Sequence, residues 1–133
     1  MKNRILLVED NIDLIDLLSN ALKFLAFEAV IARDGLAAVE LAESANPDLI
    51  IMDIGLPKLN GMDAITKIRA NPKTKFIPII AATARAMRGD RESCLRGGCD
   101  AYLAKPFSLQ ELSDTIELIL QNQPIRKIAS RAR

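Results

Sequence analysis

The 133-residue sequence contains no histidine and no tryptophan, and it has only two cysteines, Cys94 and Cys99. Without an imidazole, the chain cannot form Ser-His-Asp or Cys-His catalytic groups, and it lacks the commonest general base. Two thiols are too few for a disulfide framework or, without histidine, for an ordinary four-ligand zinc site, so we expect free structural thiols. Any chemistry here must use carboxylates, hydroxyl groups and lysine.

Long apolar runs and a strong excess of one charge are also missing. No apolar run approaches the ~20 residues of a membrane-spanning helix, and the N-terminal residues lead into a strand rather than a signal peptide. The net charge is only +1, which does not favour direct binding to nucleic acid. These features predict a cytoplasmic protein that neither crosses a membrane nor binds DNA.

The length and the distribution of charge indicate one domain followed by a short tail. A chain of 133 residues can bury one core but not two. All 17 acidic residues precede Gln121, whereas four of the 18 basic residues follow it. We therefore expect a domain over residues 1–121 and a basic tail over residues 122–133, which is a solvated end, the start of a linker or a contact site for a partner.

Five short apolar runs bounded by Gly, Pro or acidic residues predict strands at residues 4–8, 28–32, 48–53, 78–82 and 100–104. Between them, apolar residues recur every three or four positions, which predicts helices. The first helix follows the possible caps Asp10 and Asn11, and the others cover residues 36–46, 61–70, 86–96 and a segment capped by Ser108. The apolar positions are Leu14, Leu18, Ala21, Leu22 and Leu25 in the first helix, Met62, Ile65 and Ile68 in the third, and Leu109, Leu112, Ile116, Ile119 and Leu120 in the last.

This alternation of strands and helices predicts an α/β fold, a doubly wound five-stranded parallel sheet flanked by five helices. Right-handed crossovers leave few topologies, and the most economical has the strand order 2-1-3-4-5. Its switch point lies between strands 1 and 3. Ligands of such sheets bind at the carboxyl ends of the strands beside this point.

Acidic residues stand at the carboxyl ends of the two strands that flank the switch point. Glu9 and Asp10 follow strand 1, and Asp53 ends strand 3. Thr83 and Lys105 follow strands 4 and 5, and are therefore expected at the same edge of the sheet. Oxygen ligands without imidazole or thiolate favour a hard cation, Mg²⁺ or else Mn²⁺. Such a site suits phosphoryl transfer, with Asp53 as the nucleophile that becomes an acyl phosphate.

The set Glu9-Asp10, Asp53, Gly55-Leu56-Pro57, Gly61, Thr83-Ala84 and Lys105-Pro106-Phe107 resembles the receiver domains of two-component response regulators over about residues 3 to 121. The resemblance implies a flavodoxin-like receiver fold. It also implies that Asp53 accepts a phosphoryl group from a histidine kinase or a histidine phosphotransfer protein. The segments Ala84–Asp90 and Gly97–Asp100 further resemble single-domain cell-cycle regulators and the receivers of hybrid kinases.

The resemblance assigns a role to each residue at this edge. Asp10 and Asp53 would bind Mg²⁺ directly with the Gly55 carbonyl, and Glu9 would act through water. Lys105 would pair with the phosphoryl oxygens, and the Lys105–Pro106 peptide would be cis.

The same resemblance implies a switch. Thr83 would move to bond the phosphoryl group, and the Tyr102 ring would then turn inward. The helix over residues 86–96 would shift, so a downstream protein would bind the face made by helix 4, strand 5 and helix 5. Arg85 is expected to set the lifetime of the phosphorylated state, and the protein to be a monomer or weak dimer without enzymatic turnover of other substrates.

Other interpretations remain open from the sequence alone. The chain is a complete single-domain regulator or the receiver of a hybrid kinase or larger regulator. An aspartyl-phosphate hydrolase would carry a second acid two residues after the nucleophile, where this chain has Gly55. A nucleotide- or flavin-binding module would need a Gly-rich loop after strand 1. A degenerate receiver used only as a docking surface would not need the complete set of acids, threonine and lysine. Asp53 could instead cap the next turn, and Glu9-Asp10 could cap the N-terminus of the first helix. Thr83 could bond its own loop, and Tyr102 could serve packing alone.

Overall fold

Five parallel strands form the central sheet in a computed structural model that describes residues 3–56, 58–84 and 90–122. The strands are β1 Arg4–Val8, β2 Glu28–Ala32, β3 Leu49–Asp53, β4 Ile79–Thr83 and β5 Ala101–Ala104. Their order is β2-β1-β3-β4-β5, with every neighbouring pair parallel. The predicted doubly wound topology is confirmed, and its switch point lies between β1 and β3.

Five helices connect the strands: α1 Ile12–Phe24, α2 Gly35–Ser44, α3 Gly61–Ala70, α4 Asp90–Arg96 and α5 Leu109–Asn122. The caps of the first three are Asn11, Asp34 and Asn60, whose side chains accept the N–H of the residue three positions later. At the start of α5, the Glu111 N–H donates to the Ser108 hydroxyl at 3.0 Å and the Ser108 N–H donates to Glu111 at 3.2 Å. Each of these helices therefore begins after a capping residue, whose side chain accepts a backbone N–H of the first turn that has no partner within the helix.

The core consists of two apolar layers, one on each face of the sheet. Alternate residues of a strand point to opposite faces, so Ile50 and Met52 pack under α2 and α3, whereas Leu49 and Ile51 pack under α1 and α5. All five residues of β3 are buried. Burial on both faces explains why the central strand reads as a continuous apolar run.

Several predicted element details are wrong. Strands β4 and β5 each begin one residue later than predicted, at Ile79 and Ala101, and β4 extends to Thr83. Helix α2 ends at Ser44 rather than at Asn46–Pro47, because Asn46 adopts a left-handed backbone with φ of 50°. Leu109, which the periodicity predicts to lie on the apolar stripe of the last helix, is 44% exposed at the first position of α5. Strand β3 begins at Leu49, one residue later than predicted, although Asp48 is bonded to the start of β1: its carboxylate accepts the Arg4 N–H at 2.8 Å and its own N–H donates to the Arg4 carbonyl at 2.7 Å.

Arg69 at the end of α3 connects three segments. Its guanidinium donates to the carbonyls of Gly98 at 2.9 Å and Ile77 at 2.6 Å, and it pairs with Asp100 at 2.9 Å. The Asp100 carboxylate also accepts the Ile79 N–H at 2.9 Å. This cluster fixes the turn between α4 and β5 to the start of β4.

Cys94 and Cys99 form no disulfide and are buried, as predicted. Burial, together with the neighbouring Cys94 and Asp100, raises the pKa of the Cys99 thiol to about 12. The thiol therefore stays protonated and unreactive at neutral pH. In the part of the chain that the structure describes, no helix is long and apolar enough to cross a membrane.

Candidate phosphoacceptor site

Three carboxylates meet at the carboxyl ends of β1 and β3, as the topology predicts. Glu9, Asp10 and Asp53 each place a carboxylate oxygen within 4.8 Å of the other two. Glu9 and Asp53 are buried, whereas Asp10 is exposed. The cluster therefore has two buried members and one accessible member, Asp10.

Backbone hydrogen bonds fix Asp53 at this edge. The Ile54 N–H continues the strand by donating to the Ala82 carbonyl at 3.1 Å, and the Gly61 N–H donates to the Ile54 carbonyl at 3.0 Å. The Gly55 N–H donates to Asp53 Oδ1 at 3.2 Å. The chain leaves the sheet immediately after Asp53, so its carboxylate lies at the rim of the sheet rather than inside it.

Lys105 lies among the acids and forms an ion pair that the sequence did not predict. Its Nζ is 2.5 Å from Glu9 Oε1 and 3.7 Å from Asp53 Oδ1. The Lys105 N–H donates to the Thr83 carbonyl at 2.9 Å, and the Lys105–Pro106 peptide is cis. A buried acid beside a lysine on the same sheet edge was the available signal, because buried charges are normally paired.

The pKa values of the two buried acids, Glu9 and Asp53, are shifted in opposite directions. Burial opposes ionisation of Glu9, but the hydrogen bond and charge of Lys105 and the Asn11 N–H outweigh it, so the pKa of Glu9 is lowered. Burial raises the pKa of Asp53, and the nearby Glu9 charge adds to this, while Lys105 only partly offsets both. Asp53 is therefore the acid whose charge is least stabilised.

The donor set fits a hard divalent cation. All three groups are carboxylates, and Glu9 Oε2 is oriented by the N–H groups of Asp10 at 3.1 Å and Asn11 at 3.2 Å. Oxygen ligands of this kind suit Mg²⁺ or Mn²⁺ rather than zinc or copper. The Gly55 residue follows Asp53 closely and is exposed, so its carbonyl could join the set.

Thr83 and Tyr102 occupy the same face of the sheet. Thr83 is 4% exposed and shares the parity of Ala81, which lies in the core layer under α3. Tyr102 is opposite Ala81 in the β4–β5 register and packs against the same layer. The two residues predicted to form a switch, Thr83 and Tyr102, therefore lie on neighbouring strands and on the same face of the sheet.

Two further predictions fall outside the described residues. They concern Arg85 and residues 123–133 of the predicted tail.

An apolar groove that the sequence did not predict opens beside the acids. It has a volume of about 330 Å³ and is lined by Leu14, Leu17, Leu18, Ala84, Lys105, Pro106 and Phe107. Leu17 is 64% exposed at its wall. The groove therefore joins helix α1 to the segment that carries Lys105.

A sheet of this order with acids, threonine and lysine at its carboxyl edge defines a phosphoacceptor signalling domain. A family model of the response regulator receiver domain matches residues 5–117. The chain belongs to the response regulator receiver family of two-component signalling, as the sequence resemblance predicted.

The relatives found by sequence are of the same kind. The chain is 38% identical over 120 residues to the polar-differentiation response regulators DivK of Brucella ovis and Brucella suis, which covers 90% of this chain and 98% of each relative. The match therefore spans almost the whole relative.

Solved structures confirm the fold. The receiver domain of the sensor histidine kinase PA1611 from Pseudomonas aeruginosa PAO1 is 42% identical, with a TM-score of 0.81 over 92% of this chain and 98% of that chain. That structure has a magnesium ion coordinated in its active-site cleft. The chemotaxis protein CheY4 of Vibrio cholerae is 27% identical, with a TM-score of 0.82 over 88% of this chain and 98% of that chain.

Proposed function

We propose that Asp53 accepts a phosphoryl group from a phosphohistidine of a histidine kinase or a histidine phosphotransfer protein. The observation that carries this proposal is the placement of Asp53 beside Glu9, Asp10 and Lys105 at the sheet edge. Of the two buried carboxylates, Asp53 is the one whose pKa is raised by burial, so it gains more than Glu9 from a new electrostatic partner. The protein would act as a cytoplasmic signalling switch, not as an enzyme that turns over other phosphoesters.

The transfer step requires few groups from the protein. An oxygen of Asp53 attacks phosphorus while the N–P bond breaks, and the electron pair leaves with the imidazole nitrogen of the donor. Lys105 Nζ, 3.7 Å from Asp53 Oδ1, would turn from Glu9 towards the new phosphoryl oxygens. The Thr83 hydroxyl would donate to another of these oxygens, and water would later cleave the acyl phosphate to regenerate Asp53 and phosphate.

Mg²⁺ would be held by Asp10 and Asp53 with the Gly55 carbonyl, while Glu9 would act through water. When bound, the ion neutralises charge on the phosphoryl oxygens during transfer. Glu9 keeps an ionised carboxylate in place, because Lys105 and two backbone N–H groups stabilise its charge. The solved PA1611 receiver, which has a magnesium ion in its active-site cleft, supports the presence of a magnesium site in a protein of this kind.

The acceptor is tested by locating the modified residue. Wild-type protein is incubated with acetyl phosphate and Mg²⁺, and the acyl phosphate is reduced with borohydride, which converts the modified aspartate to homoserine. We expect homoserine at residue 53 and none at Asp63, an exposed aspartate on α3 that serves as an internal control. Homoserine at another acid, with Asp53 unmodified, would refute the assignment.

The apolar groove is the proposed contact for the donor protein. Its lining includes Lys105, so a helix of the donor that packs on Leu14 and Leu17 would present its phosphohistidine to the acidic cluster. An exposed leucine beside a buried charge cluster favours a partner with an apolar helical surface.

We expect Leu17→Glu to slow phosphoryl transfer from a phosphohistidine protein at least tenfold, because a carboxylate would face the apolar partner. The rate with acetyl phosphate should stay unchanged, since a small donor does not need the groove. The control is Leu36→Glu. Leu36 is also an exposed leucine, but it lies on α2, on the opposite face of the sheet from α1. Equal losses with both donors would contradict the docking assignment.

The output would be read on the face formed by α4, β5 and α5. Thr83 and Tyr102 share one face of the sheet, and Tyr102 lies on the edge strand β5. Movement of the Thr83 hydroxyl towards the phosphoryl group would open space for the Tyr102 ring. Phosphorylation would thereby shift an existing equilibrium of α4, which a downstream protein senses.

A further inference from the structure

Two glycines contact the main chain of the loop that follows Asp53. Gly35 begins α2 and Gly61 begins α3, and residues 54–56 and 58–60, here called the acceptor loop, lie between β3 and α3. A β-carbon on Gly61 would lie 2.6 Å from the Asp53 carbonyl oxygen and 2.6 Å from the Ile54 Cα. A β-carbon on Gly35 would lie 1.8 Å from the Leu59 carbonyl oxygen. The first residue of each helix is therefore in close contact with main-chain atoms of the loop. A side chain there would clash with the backbone, and a change of side-chain rotamer could not relieve the clash.

Backbone conformation does not explain these glycines. Neither is among the residues with positive φ, and Gly98 is the one glycine of the described residues that is. In an ordinary helical conformation alanine stabilises a helix relative to glycine. The close approach of the acceptor loop, rather than a special dihedral angle, is therefore what requires the missing side chain.

The contacts bear on the groups that we assign to the acceptor site. Gly61 abuts the Asp53 carbonyl, one bond from the Asp53 Cα, and its N–H donates to the Ile54 carbonyl at 3.0 Å. On the inner side, Leu56 is only 8% exposed, so the loop is anchored in the core. Towards its other end, the loop meets the buried Gly35 through Leu59. The loop is thus held between two helix ends and the core, with little freedom to shift.

We propose that Gly35 and Gly61 are positioning residues, which set where the Asp53 carboxylate and the Gly55 carbonyl lie in the acceptor site. This inference rests on the proposed function for its consequence, the affinity for Mg²⁺. A side chain at position 61 would displace the Asp53 backbone directly. A side chain at position 35 would displace the far end of the loop, so its effect at Gly55 would be smaller.

The test uses Gly61→Ala and Gly35→Ala in the full chain, with two readouts. Amide NMR shifts of the metal-free protein report the backbone of residues 53–56, and titration with MgCl₂ gives a dissociation constant. We expect shifts at these residues in both variants and Mg²⁺ affinity at least tenfold weaker in Gly61→Ala and about threefold weaker in Gly35→Ala. Ile68→Val is the matched control, because it weakens the buried core side of α3 away from the loop. Its melting temperature should fall while its Mg²⁺ affinity stays as in wild type.

The proposal is overturned if Gly61→Ala folds with wild-type amide shifts at residues 53–56 and wild-type Mg²⁺ affinity. If Gly61→Ala does not fold, Gly35→Ala decides, and a folded Gly35→Ala with wild-type affinity overturns it. Failure of both variants to fold would assign the glycines to stability alone and would also overturn it. Absence of Mg²⁺ binding by the wild type would instead refute the proposed function, while the metal-free amide shifts would still test positioning.

Discussion

Single residues at the acceptor site differ in how well their charge is stabilised. Lys105 Nζ lies 2.5 Å from Glu9 but 3.7 Å from Asp53, so one ammonium mainly serves one acid. The pKa of Asp53 is raised by burial and by the Glu9 charge, whereas that of Glu9 is lowered. In the metal-free site, the charge of Glu9 is therefore stabilised, whereas burial and the Glu9 charge oppose ionisation of Asp53. A cation beside Asp53 would stabilise its charge, so the site favours cation binding.

We expect Asp53→Asn to melt at a higher temperature than wild type at pH 7 without metal. A raised pKa means that folding favours the protonated acid, so wild-type stability falls as pH rises from the ordinary range of aspartate through the raised value. Asparagine carries no charge, so the difference in melting temperature should shrink as pH falls towards about 4. Melting curves over this range provide the test, and a difference that is absent at pH 7 or grows on acidification would contradict it.

At the scale of elements, α4 is anchored at its C-terminal end, and few of its described side chains are buried. Of residues 91–96, Cys94 alone is buried, and the others are exposed. The following turn is fixed, because Arg69 bonds the Gly98 carbonyl and Asp100, and Asp100 bonds Ile79. A helix with few buried contacts moves at low cost, so α4 can shift about its anchored C-terminal end.

We expect Thr83→Ala and Tyr102→Ala to accept phosphate yet to lose most of the amide NMR response between residues 90 and 104. Each substitution removes one member of the coupling between the phosphoryl group and α4, but leaves Asp53 and Lys105 in place. Thr66→Ala, which changes an exposed threonine on α3, is the control and should respond as wild type does. A full response in both Thr83→Ala and Tyr102→Ala would rule out this coupling.

For the whole molecule, local sequence patterns predicted the features that depend on local physics. Apolar runs bounded by Gly, Pro or acidic residues predicted β1 and β2 at their observed bounds, and crossover handedness led to the strand order. The meeting of Glu9, Asp10 and Asp53 followed from parallel strands that end at a common edge.

Contacts between distant side chains were not predictable in this way. The Glu9–Lys105 pair joins residues 96 positions apart, and the apolar groove needs α1 and the segment after β5 to face each other. The early end of α2 depends on a left-handed Asn46 that propensity does not specify. Periodicity records which face of an element is buried, not which residues meet across it.

The central claim is that the acidic cluster makes Asp53 a metal-dependent phosphoacceptor. Intact mass spectrometry after incubation with acetyl phosphate tests it most directly, with wild type, Asp53→Asn and Asp10→Ala compared across a range of Mg²⁺ concentrations. We predict one base-labile phosphoryl adduct on wild type that requires Mg²⁺, none on Asp53→Asn, and at least tenfold slower formation on Asp10→Ala. An adduct that forms equally without Mg²⁺, or on Asp53→Asn at the wild-type rate, would contradict the claim.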